Sequence, residues 1–571
     1  MSTATANLAL LKGVGGDIAR DYLKTYLAAS LDILDGAIPN VYNVKGATYG
    51  ALGDGSTNDL AAIQAAINAA KTAGGGIVWF PKGTYIVHGY VDLDLAHNVT
   101  LQGVGAGTII KQTNTTQILG AATASTDGLT IRDLTLDGNR TVVASTSVFG
   151  TYFQNCTNLL IHNVRVQNFH SDGIHIRLAC DGVRIEGCHI ENCRENGIYV
   201  GAESTSPTPP KNVTIVGNTI EGTPGDSGNG ILFQWGANNC TVSGNTIKSI
   251  SEYGILVADS TDISIVGNTI ISSTLCGIDV YAATAAFASN NVEIVGNNIS
   301  YSVQDGIRLE AAAASNGVSR VTISGNSIRN NAMNGIRIDA SLKAITANVI
   351  SDNILSTNGG ATPHNGIRLI LSDYNIISNN EIVDSAGHGI VLEGSSFNII
   401  DGNLIKGSST LTNAAYSDII LAISTATEST QNTIANNQLH SLGPSNFPLY
   451  GIRLNTASTT GNIVSGNRLR TSGGTTLFSS AATGNFVLDN PGYNPVGASV
   501  VNLAVAPATL TYTCGNSPAV LYIRGGVVTT VVKNTRTLLS GSTGIAIPLE
   551  PGEIVAVSYT TIPDEANADI K

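Results

Sequence analysis

The sequence predicts an all-β protein, a right-handed parallel β-helix solenoid, because two short phrases alternate along residues 158–470. The first phrase is Gly-Ile within a strand, as in SDGIHI at 171–176, and the second is a Gly/Asn turn before an aliphatic residue, as in VGNTI at 216–220. A period in the twenties to low thirties, built from such phrases, is typical of a solenoid. Neither the leucine ladder nor the helical half of a leucine-rich repeat is present. The strand glycines recur at intervals of 23 residues (Gly254 to Gly277) to 33 residues (Gly197 to Gly230).

The alternation of side chains within each strand predicts which residues form the core. Neighbouring residues of a strand face opposite ways, so Ile174 and Ile176 are expected to point into the coil and His175 outward. Stacked coils would bury a continuous aliphatic core that no single coil buries alone. Asn at the turns suits a left-handed backbone and is expected to form side-chain ladders. The long interval from Gly389 to Gly451 predicts one further coil, without a glycine, around residues 418–421.

Composition limits the partners that the chain is expected to have. The 571 residues carry a formal net charge of −12, with 12% charged residues, so no basic surface for nucleic acid is indicated. No apolar run reaches about 18 residues, which argues against membrane insertion, and no secretory signal is recognised at the N-terminus. The seven cysteines include Cys188-x4-Cys193 without a second pair, a poor zinc pattern. Neither a metal nor a cofactor is expected.

The N-terminal 41 residues are predicted to form a helical association segment. Residues 17–38 have an apolar stripe of leucines at helical spacing. Two interpretations stay open, a helix that caps the solenoid and a stalk for self-association. The leucines of the stripe are Leu23, Leu27, Leu31 and Leu34.

The β-helix is predicted to span residues 42–490 and to begin with a capping helix near residues 57–73. Ser56 or Thr57 is the expected N-cap, and Leu60, Ile63 and Ile67 share one face. Three glycines at 74–76 would end the helix, and a strand at 77–80 would follow. Such a helix provides the apolar lid that the open end of a solenoid requires.

Residues 42–87 resemble the first segment of the pectate lyase superfamily, which includes polygalacturonases, mannuronan epimerases and phage tailspike depolymerases. The resemblance rests on a Gly-Asp-Gly turn at 53–55, the helix and the Gly-Gly-Gly strand start, while residues 47–51 depart slightly from the usual motif. It implies a carbohydrate-acting β-helix. It does not imply one reaction, since one fold hosts many chemistries.

Residues 491–571 are predicted to form a small antiparallel β-sandwich. Six short alternating segments between residues 500 and 559 are separated by Gly, Pro and Asn turns. Similar modules in tailspike-like proteins help to oligomerise or contact glycan, and a simple end cap is the alternative.

The outward positions of the Gly-Ile strands predict a substrate groove. Coils stack at about 4.8 Å, so equivalent positions form columns, and on this face they bring together carboxylates, arginines and aromatic rings. Two clusters compete for the catalytic role. The first cluster comprises Asp172, His175, Arg177, Glu195 and Tyr199, near Trp235 and a Pro-rich insertion at 203–211. The second cluster comprises Asp279, Tyr281, Asp305, Arg308, Glu310, Arg337 and Asp339.

The chemistry of sugars decides what these clusters must supply. Glycoside hydrolysis needs two carboxyls, about 5 Å apart for retention or about 6.5–9.5 Å for inversion; neighbouring coils give the first separation and alternate coils the second. A lyase or epimerase needs a base and an acid at the sugar C5 and a group that neutralises the uronate. Asp172 and Glu195 are expected one strand spacing apart, where repulsion raises one pKa and leaves the other low.

The first cluster is the richest titratable group, and it is predicted to be catalytic. Two plainer interpretations stay open, structural polar residues in the first cluster and solvated ion pairs in the second. The predicted catalytic residues are Asp172, His175, Glu195 and Tyr199. The predicted substrate-binding residues are Arg177, Gln234, Trp235, Glu252, Tyr253, Asp279, Tyr281, Asp305, Arg308, Glu310 and Arg337.

Short motifs of the superfamily match only in part. Residues 171–174 resemble the Asn-Thr-Asp-Gly of polygalacturonases, but Glu195-Asn196-Gly197 stands where their paired aspartates would follow. Mannuronan epimerases carry Tyr-Gly-Phe-Asp-Pro-His near this coil, and the chain has no Asp-Pro-His there.

The leading hypothesis is a tailspike-type depolymerase that cleaves a bacterial surface polysaccharide by hydrolysis or β-elimination. The alternatives are a uronan lyase or C5-epimerase and a non-catalytic glycan-binding fibre. The resemblance to tailspikes also predicts a homotrimer that acts outside the cell, on a virion tail. Outward apolar residues that a trimer would cover support this expectation; they are Leu232, Leu256 and Val391.

Overall fold

A computed structural model describes most of the chain from residue 40 onward, in two compact units, residues 1–252 and 253–571. The predicted N-terminal helix at 17–38 and residues 203–207 of the Pro-rich insertion lie outside the described residues. The described residues are 40–143, 145, 148–202, 208–222, 226–440, 447–470, 476–480, 484–488, 490, 500–502, 509–514, 519–524, 527–539, 545–550, 552–561 and 565–570.

The first unit consists of coils that each contribute one strand to three parallel sheets. The Gly-Ile sheet contains Val91–Asp92, Leu119–Ala121, Thr151–Phe153, Ile174–Ile176, Ile198–Gly201 and Ile231–Gln234. The second sheet contains Val41–Asn43, Gly76–Trp79, Val99–Gln102, Thr130–Arg132, Leu160–His162, Arg184–Glu186, Thr214–Val216 and Asn238–Ser243. The third contains Asp54–Asn58, Gly83–Val87, Thr108–Gln112, Thr135–Asp137, Arg165–Phe169, His189–Cys193, Thr219–Glu221 and Thr246–Ile250. The short strands Thr126–Asp127 and Cys156–Thr157 also pair.

The second unit repeats the three-sheet arrangement. Its Gly-Ile sheet contains Ile255–Ala258, Ile278–Ala282, Ile307–Ala311, Ile336–Asp339, Ile367–Ile370, Ile390–Glu393, Ser417–Ala422, Tyr450–Leu454 and Thr476–Ser480. Its second sheet contains Thr261–Val266, Val292–Val295, Thr322–Ser324, Val349–Ser351, Ile376–Ser378, Ile399–Asp401, Thr433–Ala435, Ile463–Ser465 and Phe486–Leu488. Its third contains Thr269–Ser273, Asn298–Ser300, Ser327–Arg329, Ile354–Ser356, Glu381–Val383, Leu404–Lys406, Gln438–His440 and Arg468–Arg470. Ser289–Asn290, Val318–Ser319 and Ile345–Thr346 form a small additional sheet.

Close packing inside the coils explains the repeated phrases. The aliphatic residues of the Gly-Ile strands, such as Ile278 and Val280, are fully buried. A Cβ at Gly277 would lie 2.3 Å from Cγ2 of Ile299, so this strand position admits only glycine without rearrangement. Asn326 donates through Nδ2 to Oδ1 of Asn353 at 2.9 Å, one step of a buried ladder. The predicted fold class, a right-handed parallel β-helix, is confirmed, and so are the asparagine ladders.

The capping helix spans Leu60–Thr72 and buries Ile63 and Ile67, as predicted, but its predicted N-cap is wrong. Residues 54–58 form a strand, so Ser56 and Thr57 bond instead to the Asp54 carboxylate. Asp59 precedes the helix, and its carboxylate accepts from the backbone N–H groups of residues 52 and 53. The carboxylate therefore holds the preceding loop, and the helix begins without a side-chain cap.

The C-terminal residues form two four-stranded antiparallel sheets around their own apolar core, as the sequence predicts. The domain boundaries at 41/42 and 490/491 stay a prediction. One sheet contains Val500–Asn502, Glu565–Ile570, Ala519–Arg524 and Ile545–Leu549. The other contains Thr509–Thr513, Ile554–Thr561, Val527–Lys533 and Arg536–Leu539.

Asp418 occupies the glycine position in the coil that the long interval predicts. Ile419 is in register with Ile390, so Asp418 lies opposite Gly389. The Asp418 side chain is 1% exposed, and burial raises the pKa of its carboxyl from 3.8 to about 8, with the Ser408 hydroxyl opposing the shift. The folded state therefore holds this carboxyl neutral at pH 7, where an unfolded chain ionises it.

The Asp418→Asn variant is expected to be more stable than the natural chain, with a gain that grows with pH. Because the folded-state pKa is raised, the stability contribution of Asp418 is full below pH 4 and is lost as pH rises through about 8. Each pKa unit corresponds to about 1.4 kcal/mol, so about 6 kcal/mol is the upper bound. Denaturant unfolding at pH 5 and pH 9 tests this, with exposed Asp352→Asn as control. An equal gain at both pH values would contradict it.

Candidate functional site

The outward column of the Gly-Ile sheet in the first unit is a stack of rings. His175 lies between Tyr152 and Tyr199, with ring centroids 5.0 and 4.4 Å apart and planes within 13°. The three residues are in register on adjacent strands, which places their rings one above another. Phe149 packs edge-on against His175 at 4.9 Å. His175 and Tyr199 of the first cluster thus lie together, and Tyr152 and Phe149 join them.

Asp172 orients the imidazole of this stack. Its Oδ2 lies 2.5 Å from Nδ1 of His175, and its Oδ1 accepts from the backbone N–H and the Nδ2 of Asn196 at 2.8 and 2.7 Å. Both oxygens of the carboxylate are therefore engaged. Nε2 of His175 is buried and has no hydrogen-bond partner among the residues that the structure describes.

The other predicted residues of the first unit surround this dyad only in part. The Ser171 hydroxyl donates to Oε2 of Glu195 at 2.7 Å, and burial, followed by the charge of Asp172, raises the pKa of Glu195. A raised pKa is the shift that the sequence predicts for one member of the Asp172–Glu195 pair. Arg177 donates to the Tyr152 hydroxyl at 2.5 Å. The remaining predicted residues of this unit are half-buried; they are Gln234, Trp235 and Glu252.

The outward side chains are more buried than the alternation predicts. His175 is 8% exposed, because the rings of Tyr152 and Tyr199 cover its two faces, and Tyr199 is 7% exposed. Two of the outward apolar residues, Leu232 at 7% and Val391 at 3%, are covered by the chain itself. The expectation that these two need a partner subunit to cover them is therefore wrong.

In the second unit a buried ion pair organises the second cluster. Nη2 and Nε of Arg308 donate to the two oxygens of Asp279 at 2.9 and 3.3 Å, and Asp279 is 1% exposed. Arg308 also donates to the Tyr253 hydroxyl at 2.9 Å and to Gln304 at 3.3 Å. Burial lowers the pKa of Arg308, but the Asp279 carboxylate outweighs it and the pKa is raised. For this pair, the interpretation as a solvated ion pair is wrong.

Asp305 begins a polar ladder beside this ion pair. Its Oδ1 accepts from the backbone N–H and the Nδ2 of Asn334 at 2.9 and 2.8 Å, and Asn334 accepts from Asn365 in the same way. Oδ2 of Asp305 is buried without a hydrogen-bond partner among the described residues. Asp305 thus supports the backbone of the next coil rather than facing the open surface.

An open pocket of about 260 Å³ lies at the ends of three successive strands of the second unit. Tyr281, Glu310 and Asp339 are in register on these strands, and all three line the pocket. Adjacent strands are about 4.8 Å apart, so the two carboxyls come from neighbouring positions of one column. The other lining residues are Ala311, Ala312, Ser341 and Leu342.

The two carboxyls of the pocket have opposite pKa shifts. Burial, followed by the charge of Asp279, raises the pKa of Glu310, although Nη2 of Arg308 lies 3.0 Å from it. Burial pulls the pKa of Asp339 upward, but the Ser341 hydroxyl and N–H and the Arg337 guanidinium outweigh burial and lower it. The Glu310 carboxyl therefore keeps its proton to a higher pH than the Asp339 carboxyl, which is the direction of difference that glycosidases require between their two carboxyls.

Several residues of these sites were not predicted from the sequence. Tyr152 and Phe149 lie in a coil that reads Phe-Gly-Thr-Tyr-Phe and lacks the Gly-Ile phrase, although Gly150 is its strand glycine. Aligning Gly150 with Gly173 would have found both rings. Ser341 follows a strand end, where the repeat gives no signal.

No group of three or more His, Cys, Asp or Glu side chains in the described part of the chain is placed to hold a metal ion. No described helix is long and apolar enough to cross a membrane.

Comparisons with known proteins match the coils along most of their length. A family model described as rhamnogalacturonase A/epimerase, pectate lyase-like, matches residues 41–279. A model described as a right-handed beta helix region matches residues 229–362 and 286–500. Among solved structures, a mutant tailspike protein of E. coli bacteriophage HK620 is 13% identical with a TM-score of 0.51, covering 90% of each chain. This last likeness shows the fold alone.

Curated relatives match a short segment at higher identity. Mannuronan C5-epimerase AlgE1 of Azotobacter vinelandii is 46% identical over 111 residues, which is 17% of this chain and 8% of the epimerase. Alginate lyase 7 of the same organism is 44% identical over 111 residues, or 13% of its length. The chain thus spans a small fraction of these relatives. Together with the two family models, these matches confirm that the chain is similar to the pectate-lyase-like proteins with a right-handed β-helix.

Proposed function

We propose that the chain is a polysaccharide depolymerase of the tailspike type, which hydrolyses a glycosidic bond of a bacterial surface glycan between Glu310 and Asp339. The observation that carries this proposal is the position of the two carboxyls, in register on adjacent strands and lining one open pocket beside Tyr281. Their opposite pKa shifts support it. The relatives, named for mannuronan and alginate, support the coarser conclusion of a polysaccharide-acting enzyme.

The strand spacing between Glu310 and Asp339 favours a retaining mechanism. Strand spacing of about 4.8 Å is close to the 5–5.5 Å of retaining enzymes and shorter than the 6.5–9.5 Å of inverting ones. The protonated Glu310 donates its proton to the glycosidic oxygen as the bond from C1 breaks, and the Asp339 carboxylate bonds to C1. Glu310, now ionised, takes a proton from water as the water oxygen displaces Asp339 from C1. The first product keeps its anomeric configuration.

Arg308 and Asp279 position this pair without touching the reacting atoms. The ion pair is anchored by Tyr253 and Gln304 and holds the Glu310 carboxyl through Nη2 of Arg308. The negative charge of Asp279 also helps to keep Glu310 protonated. A sugar can stack on the ring of Tyr281. Tyrosine suits such a contact because its side chain has an apolar ring and a polar hydroxyl.

Hydrolysis and elimination are distinguished by their products. Incubation with a panel of capsular and uronate polysaccharides is expected to release new reducing ends without the ultraviolet absorbance of unsaturated chain ends. NMR of the first product is expected to show the anomeric configuration of the substrate. Unsaturated ends would contradict hydrolysis, and tight binding to a glycan without any product would support a non-catalytic fibre instead.

Elimination from a uronate in the first cluster is the second candidate. The observation that favours it is the Asp172–His175 dyad, whose Nε2 has no partner among the described residues. Such a nitrogen is a possible base for a C5 proton. The stacked rings close it from both faces, however, and the chain lacks the Asp-Pro-His run of epimerases in this region. Elimination at this cluster would require catalytic roles for four residues, and these roles stay a prediction. The residues are Asp172, His175, Glu195 and Tyr199.

We also propose that the chain forms a homotrimer and acts outside the cell, on a virion tail, as the resemblance to tailspikes implies. An exposed apolar column on the second sheet of the second unit supports association, because burying such a surface is favourable. The column includes Ile376 at 39%, Ile399 at 42% and Ile463 at 44% exposure. Light scattering at micromolar concentration is expected to give three times the mass of the chain, and a monomer would contradict it.

A further inference from the structure

The charges around the pocket between Glu310 and Asp339 limit which sugar can enter it. The two acidic residues that line it are Glu310 and Asp339, and none of the described lining residues is basic. Arg308 is engaged by Asp279 and Glu310, and Arg337 is engaged by Asp339. Both nearby guanidinium groups are therefore already paired with carboxylates, and the described lining residues offer no cation that could bind a uronate. A uronate carboxylate beside Asp339 would therefore lack a cation to neutralise it and would be repelled by the like charge.

Apart from Ser341, the remaining walls of the pocket are apolar. Ala311, Ala312 and Leu342 line it, and Leu342 is 68% exposed at the rim. Large exposed aliphatic side chains at a pocket rim are favourable where a ligand covers them. The volume of about 260 Å³ lies below the roughly 300–1,000 Å³ of typical small-molecule sites. The pocket therefore suits a single small ring with an apolar substituent.

We infer that the sugar held between Glu310 and Asp339 is an uncharged pyranose that carries a methyl group, as in a 6-deoxy or an N-acetylamino sugar. The inference rests on the proposed function and names its substrate class. The methyl group lies against Leu342 and Ala312, and the ring lies on Tyr281. The uronates of mannuronan and alginate, for which the relatives are named, are thereby excluded from this position.

Adding a cation to the rim tests the charge argument. The wild-type chain is expected to have a higher kcat/KM on glycans of 6-deoxy or N-acetylamino sugars than on polyuronates. In Leu342→Arg the ratio of polyuronate to neutral activity is expected to rise at least about five-fold, because a charge pair near the surface contributes about 1 kcal/mol. Leu411→Arg, at another exposed leucine, is the matched control and is expected to leave the ratio unchanged.

The outcomes separate this inference from the proposed function. If the wild-type chain prefers a polyuronate and Glu310→Gln abolishes its cleavage, the substrate class is wrong and the proposed site stands. If neutral glycans are cleaved equally well by wild type and Glu310→Gln, the proposed site is wrong. A preference for neutral sugars without methyl groups over those with them would overturn the inference. Isothermal titration of Glu310→Gln with the same oligosaccharides is expected to give the same order of affinities.

Discussion

Glu310→Gln is expected to lower turnover by at least about 100-fold, the low end of general acid–base contributions. Gln keeps the size of the side chain but cannot donate a proton to the leaving oxygen. Asp339→Asn is expected to cost at least as much, because the amide can neither bond to C1 nor balance the charge of the transition state. Release of reducing ends from a cleaved glycan is the measurement, with unchanged unfolding midpoints as evidence of intact folding.

A matched carboxyl away from the pocket gives the control for this prediction. Glu293 is exposed on a strand of the second sheet, so Glu293→Gln is expected to keep the wild-type rate. Normal rates for Glu310→Gln and Asp339→Asn would place the chemistry elsewhere. If Asp172→Asn or Glu195→Gln then abolished activity, the first cluster would be the catalytic site.

The pH profile of the wild-type enzyme follows from the directions of the two pKa shifts. The raised pKa of Glu310 keeps the acid protonated to a higher pH than an ordinary glutamate. The lowered pKa of Asp339 keeps the carboxylate ionised to a lower pH. Activity is therefore expected to fall on the acid side as Asp339 is protonated and on the alkaline side as Glu310 ionises. In Asp279→Asn the alkaline limb is expected to move to lower pH, because a charge that raises the pKa of Glu310 is removed.

Arg308→Met is expected to lower the free energy of unfolding by about 3–5 kcal/mol, the range for breaking one side of a buried ion pair. Met fills the space of the aliphatic stem but leaves the buried Asp279 without its guanidinium. The Tyr253 hydroxyl and Gln304 also lose a donor. Urea unfolding followed by circular dichroism measures the loss.

A double-mutant cycle separates the ion pair from the loss of packing. Asp279→Leu combined with Arg308→Met removes both charges and is expected to recover most of the stability. Lys211→Met breaks the salt bridge between Lys211 and Asp181, whose side chains are 54% and 37% exposed. This variant is expected to lower the free energy of unfolding by less than about 1 kcal/mol. Equal losses in Arg308→Met and Lys211→Met would contradict the view that the Arg308 pair is a buried support of the pocket.

The sequence contained enough information to place the coils and their columns. The Gly-Ile phrase fixes the register, since a Cβ at Gly277 would lie 2.3 Å from Cγ2 of Ile299, and the turn asparagines follow from their ladder. The strands Arg536–Leu539 and Glu565–Ile570 were not predicted, because Glu-Ala-Asn-Ala-Asp has weak β propensity. The helix start was misplaced because Ser56 and Thr57 lie in a strand before it.

The burial of the columns could not be predicted from alternation alone. Alternation predicts only the face of the strand on which a side chain lies, and not whether neighbouring residues cover that side chain. Arg308 is buried because Tyr253, two strands away in the sheet, and Gln304 cover it. The pocket carboxyls differ in pKa because Ser341 from a strand end reaches Asp339 and not Glu310. The contact of Arg308 with Tyr253 joins different coils, and that of Ser341 with Asp339 is made at the end of one strand. The repeat pattern carries no information on either contact.

A crystal structure of Asp339→Asn with a bound oligosaccharide tests the central claim most directly. We expect a sugar ring on Tyr281 with its glycosidic oxygen within hydrogen-bond distance of the Glu310 carboxyl. We also expect C1 to face residue 339. A saccharide bound instead along the column of Asp172, His175 and Tyr199, with the Glu310 pocket empty, would contradict it.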